Sequence, residues 1–63
     1  MYIQLVKRGE LERRLKALGW YPESEGGRHS VWSHPTKLHK LYIPRHPIIN
    51  MNTARSILRD AER

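Results

Sequence analysis

The spacing of apolar residues changes period twice along this chain, and no other feature constrains the fold as much. From Glu10 onwards, leucines fall at positions 11, 15 and 18, which is one stripe of a helix. From Trp20 to Pro44 the apolar residues come in short runs bounded by Gly and Pro, the mark of strands. Ala54, Ile57, Leu58 and Ala61 then return to the helical i, i+3, i+4, i+7 spacing. The expected order is helix, three strands, helix. Strands joined by short turns form an antiparallel meander, and two amphipathic helices can cover one face of it. The expected class is therefore α+β.

Local signals set the boundaries. The first helix should begin near Gly9 and stop at Gly19, which suits the left-handed residue after a helix end, with Trp20 folding back over Leu15. Glu10 with Arg14 and Glu12 with Lys16 are favourable i,i+4 pairs. Trp20 to Glu25 reads as an edge strand because it contains Pro22, which cannot donate to a ladder. Gly26 and Gly27 make the turn, Arg28 to Ser33 the second strand, and Leu41 to Pro44 the third, after a polar segment from His34 to Lys40. Asn50 and Asn52 are both good N-caps for a helix from about Thr53 towards Glu62. Residues 1–8 carry little pattern; Tyr2, Ile3, Leu5 and Val6 suit a short strand or a loose arm. Together these make a double-stranded-RNA-binding-like layout, α-β-β-β-α, over a single domain of 63 residues.

A chain this short buries only about 60% of its unfolded surface, so stabilisation by a partner is to be expected. With no cysteine there is no disulfide or thiolate zinc site, which fits a reducing cytoplasm. Twelve Lys and Arg against six Asp and Glu give a net charge of +6 and a pI near 10.3. That excess favours an anionic partner, nucleic acid first, over a merely solvated basic face or an acidic protein. A membrane is disfavoured, because no run approaches the ~18 apolar residues of a span. The opening residues also lack the basic lead and cleavage site of a signal peptide.

Two motifs carry chemistry: Gly26-Gly27-Arg28-His29 and Pro44-Arg45-His46. If Val31 and Ile43 both face the core, they pair across the strands; Ser33 then opposes Leu41, and His29 opposes Arg45. On the open face Trp32 would oppose Tyr42, an aromatic pair able to stack bases. His29, Arg45 and His46 would converge with Arg28 nearby. An imidazole there can take the proton of a ribose 2′-hydroxyl, and a guanidinium can hold phosphate oxygens in a bidentate pair. The departing 5′-oxygen needs a proton or a nearby cation, for which His46, Arg28 and Lys40 are candidates. This chemistry requires no metal and no cofactor. Other readings compete with it, first among them a non-catalytic double-stranded-RNA-binding module whose basic surface grips A-form phosphates, with His29 incidental. A histidine after a turn is often only a solvated polar residue, and His29, His34, His39 and His46 could supply a zinc site. The chain lacks the helical i,i+4 pair or finger spacing such a site needs, however. Glu23 and Glu25 suit an exposed edge better than an acid–base pair. Ser30 should face away from His29, which argues against a serine nucleophile.

Four stretches in this order resemble the HicA toxin family: Glu10 to Trp20, Gly26 to Trp32, Tyr42 to His46 and Thr53 to Leu58. The resemblance spans residues 7–61. It implies a double-stranded-RNA-binding-like fold and ribosome-independent RNA cleavage by a small mRNA interferase. It also implies a HicB-type antitoxin partner, with the free chain a monomer. The family's catalytic histidine follows the glycine turn, which places it at His29, with the turn at Gly26 and Gly27. The chain departs from the family in having Arg28 where serine is common, Asn52 where glycine is usual, and a longer arm before Lys7.

Overall fold

The computed structural model describes residues 5–63. In chain order they form β1 (Leu5–Lys7), α1 (Arg8–Ala17), β2 (Tyr21–Gly26), β3 (His29–His34), β4 (Lys37–Pro44), β5 (Ile48–Asn50) and α2 (Met51–Ala61). The molecule is α+β, with a three-stranded antiparallel sheet in the order β2-β3-β4 and a separate two-stranded sheet of β1 and β5. The expected α-β-β-β-α layout is present, with β1 added before α1 and β5 inserted between β4 and α2. Leu5 and Val6 do lie in a strand; Tyr2 and Ile3 fall outside the described residues. β5 was not expected, because three residues between Pro47 and the helix carry no alternation to read.

Helix α1 ends as its sequence requires. Gly19 takes φ 98°, its N–H donates to the Lys16 carbonyl at 3.0 Å, and the Trp20 N–H donates to Leu15 at 3.0 Å. These are the two bonds of a Schellman stop. The salt bridges along α1 differ from expectation: Glu12 pairs back to Arg8 and Glu10 to Arg13. Helix α2 begins earlier than Thr53. Asn50 is its N-cap, the side chain accepting from the Asn52 N–H at 2.8 Å, so of the two candidate caps it is the first that serves.

The sheet is longer than its apolar runs suggest. The segment His34 to Lys40 is mostly strand, with β3 and β4 joined through Pro35 and Thr36. The register also differs by one residue from the expected pairing. His29 opposes Pro44, Ser30 opposes Ile43, Val31 opposes Tyr42 and Trp32 opposes Leu41. Val31 and Trp32 point to opposite faces, so only one can enter the core. A tryptophan buries far more apolar area than a valine, and Trp32 is only 1% exposed while Val31 is half-buried. Trp32 is thus a core residue, not a partner for Tyr42 on the open face. The Trp32 indole N–H has no hydrogen-bond partner among the described residues, a cost that this burial outweighs.

One core joins the layers. Leu11 and Leu15 of α1, Trp20, Trp32, Leu41 and Ile43 of the sheet side, Ile49 of β5, and Ala54, Ile57 and Ala61 of α2 form a single buried cluster. The face of the sheet bearing His29, Val31 and Tyr42 is left open.

Candidate functional site

The glycine turn sets the corner on which the site is built. Gly26 ends β2 and pairs with His29. The two-residue loop is therefore Gly27 and Arg28, one residue later than the expected Gly26-Gly27 turn, and the strand expected from Arg28 starts at His29. Gly27 has φ 64° and Arg28 is not in the left-handed region, the combination a II′ hairpin turn demands. The turn presents Arg28 at the tip and His29 as the first, exposed residue of β3. On the neighbouring strand, Pro44 ends β4 opposite His29, and the Arg45 N–H donates to the Arg28 carbonyl at 3.3 Å. Arg45 therefore lies across from Arg28, not from His29, as the one-residue register shift requires.

Arg28, Arg45 and His46 line a cleft of about 420 Å³ at this corner. His29 adjoins the cleft through the backbone but does not line it; by the strand pairing its side chain lies on the open sheet face with Val31 and Tyr42. The corner thus has a cationic cleft on one side and an imidazole at its rim. Two guanidinium groups in one cleft can bind an anion with paired, planar hydrogen bonds.

Lys40 does not belong to this corner. It lies four residues before Pro44 on β4 and reaches Glu23 of β2 at 2.5 Å, bridging the sheet over β3. The Lys40 hydrogen bond and charge hold the Glu23 carboxyl below the usual glutamate range, and Glu23 holds the Lys40 ammonium above the usual lysine range. Glu23 is thus a salt-bridge acceptor, and no acid–base pair with Glu25 is formed.

The four histidines divide between the ends of the molecule. Thr36 N–H donates to His34 Nδ1 at 3.1 Å, which leaves the Nε2 proton to donate to the Leu18 carbonyl at 2.9 Å. His39 Nε2 donates to the Asp60 carbonyl at 2.7 Å. Both rings meet Trp20 edge-on, with centroids 5.3 Å apart. His34 and His39 therefore satisfy helix-end carbonyls, which lack partners within the helix. Among the described residues, no group of three or more potential ligands is gathered for a metal.

Sequence reasoning missed Arg8. Its guanidinium donates to the Arg45 carbonyl at 2.9 Å, and its backbone N–H donates to Pro47 at 2.9 Å. The segment carrying Arg45 and His46 is thereby tied to the start of α1. The available signal was a cation in the first turn of a helix, where the dipole disfavours one.

The turn histidine, the Pro-Arg-His stretch and the flanking helices now have a common geometry, and comparison with known proteins bears on it. The family model described as HicA toxin of bacterial toxin-antitoxin matches residues 8–62. The chain belongs to the HicA toxin family. Membership in a toxin–antitoxin family implies an antitoxin partner. Neither the curated proteins nor the solved structures contain a match. None of the helices among the described residues is long and apolar enough to cross a membrane.

Proposed function

We propose that this HicA-family chain is a toxin endoribonuclease that cuts RNA in the cytoplasm without a metal, with His29 as general base. The observation that carries the reading is the cationic cleft of Arg28, Arg45 and His46 set against a turn histidine in a HicA-family chain. His29 takes the proton of a ribose 2′-hydroxyl, and the 2′-oxygen attacks the adjacent phosphorus. The bond from phosphorus to the 5′-oxygen breaks, leaving a 2′,3′-cyclic phosphate and a 5′-hydroxyl. Arg28 and Arg45 hold the non-bridging oxygens while charge builds on them. With Lys40 engaged by Glu23, His46 is the group suited to protonate the departing oxygen. One positioned acid or base contributes about 100- to 10,000-fold. A HicB-type antitoxin would silence the enzyme by covering this corner, most economically with an acidic group on Arg45.

The test is cleavage of RNA by wild type and His29→Ala, with folding checked by circular dichroism. His29 is exposed at a strand end, so the variant should fold normally and lose cleavage by at least about 100-fold. Wild-type activity should survive EDTA and leave 2′,3′-cyclic or 3′-phosphate ends. Full cleavage by a folded His29→Ala protein, or activity abolished by the chelator, would sink the mechanism.

A further inference from the structure

The open face of the three-stranded sheet carries a feature that the cleft does not use. Val31 pairs with Tyr42 and His29 with Pro44, so Tyr42 and His29 share a face and are diagonal neighbours. Diagonal positions lie about 7–8 Å apart, within reach of an aromatic side chain. Tyr42 is 62% exposed, and Tyr21 at the other edge of the sheet is 46% exposed. The acidic Glu23 on β2 is occupied by Lys40, so its charge does not stand unopposed against an approaching anion.

We propose that Tyr42 forms a nucleobase subsite, on which one unpaired base of the RNA stacks while its backbone passes the His29 corner. The proposal rests on the ribonuclease reading and adds to it the form of the substrate. A base can lie flat on Tyr42 only when it is free of its complement, so the strand presented to His29 is single. The fold resembles modules that hold duplex RNA by shape and phosphate contacts, whereas this face offers an aromatic platform of the kind that binds single strands. The net charge of +6 and the neighbouring cleft of Arg28, Arg45 and His46 favour RNA over an apolar protein surface as the occupant.

The experiment uses the His29→Ala protein, so that RNA remains intact, with Tyr42→Ala, Tyr42→Phe and Tyr42→Trp added in turn. Fluorescently labelled RNA is titrated as a single strand, as the same strand annealed to its complement, and as single strands with one base removed at successive positions. Losing the ring should weaken single-strand binding about 5- to 100-fold, as expected for one stacked base. Tyr42→Phe and Tyr42→Trp should stay within about 2-fold of the parent, since a planar ring is what they retain. Duplex binding should not change. Removing one particular base should weaken binding to the parent but add nothing to Tyr42→Ala, the signature of a shared contact. Melting temperatures report that each variant is folded.

Equal affinity of Tyr42→Ala and Tyr42→Phe for single strands overturns the subsite and leaves the nuclease reading standing. Equal weakening toward duplex and single strand also overturns it, as would unchanged RNA affinity with lost antitoxin binding, which would mark this face as a protein dock. A His29→Ala protein that binds no RNA at low salt overturns the subsite and the ribonuclease reading together.

Discussion

At Gly19 the backbone turns with φ 98°, and the His34 ring sits where a β-carbon would go, with Nε2 2.7 Å from that position. Alanine would meet the steric cost of a left-handed conformation, roughly 1–2 kcal/mol. It would also push His34 off the Leu18 carbonyl, a bond worth about 1 kcal/mol. Gly19→Ala should therefore lower the melting temperature by about 10–20 °C in a domain of this size. Gly9 makes a control, because a β-carbon there meets nothing within 4 Å. Gly9→Ala replaces a glycine in the first turn of α1 with no positive φ and should stabilise by about 0.4–1 kcal/mol, chiefly by restricting the unfolded chain. A thermal melt that ranks the two variants together would refute this account. The glycine stop could be read from the chain, because it depends on a few adjacent residues. The His34 ring above it could not, since it arrives from the far end of β3.

The elements hold one another by their ends. Three side-chain donors from the β2–β4 region meet carbonyls around the C-terminus of α2: Trp20 Nε1 to Ala61 at 3.0 Å, His39 Nε2 to Asp60 at 2.7 Å, and the Lys37 ammonium to Arg63. At the opposite corner, α1 begins with Arg8, whose cation sits against the helix dipole at a cost of about 0.3–1 kcal/mol. Glu12 at 3.5 Å offsets part of that cost, and the bond to Arg45 uses the charge to hold the segment beyond β4. Arg8→Met should lower turnover on RNA about 10-fold while RNA affinity, measured with His29→Ala, changes less than about 3-fold. The amide resonances of Arg45 and His46 should shift in the same variant while those of β3 hold. Unchanged turnover, or a collapse of the whole spectrum, would show that Arg8 does not position this segment.

For the whole molecule, charge and size act together. Among the described residues a single cluster of ten buried apolar residues forms the core, which places the chain among domains of marginal stability. The +6 surface should make RNA affinity fall steeply with salt. The log–log slope should be about −0.7 per phosphate neutralised on a single strand, read by titrating the His29→Ala protein at several salt concentrations. A slope near zero would assign the charge to a protein partner instead. The basic balance that led from the sequence to nucleic acid thus becomes a measurable number of phosphate contacts.

What could be read from the sequence is local. The periodicity of Leu11 and Leu15, and of Ala54, Ile57 and Ala61, located both helices and their buried faces. The stereochemistry of Gly19 located a helix stop and the glycine pair located a hairpin, but the turn falls at Gly27-Arg28 instead of Gly26-Gly27, so the strand expected from Arg28 begins at His29. Each depends on residues a few positions apart, where φ preferences and side-chain period act directly. The pairing of strands depends on more distant groups. Val31 and Trp32 are both apolar and adjacent, and their order in the chain does not say which one faces inward. The space between the sheet and the helices accepts the larger indole, which slides β4 by one residue and sets Pro44 against His29. The same assembly draws Lys40 to Glu23 and away from the corner, and pairs Leu5–Lys7 with Ile48–Asn50 across some forty residues of chain. Register and long-range pairing are settled by how the core fills, and the core exists only when all the elements are present.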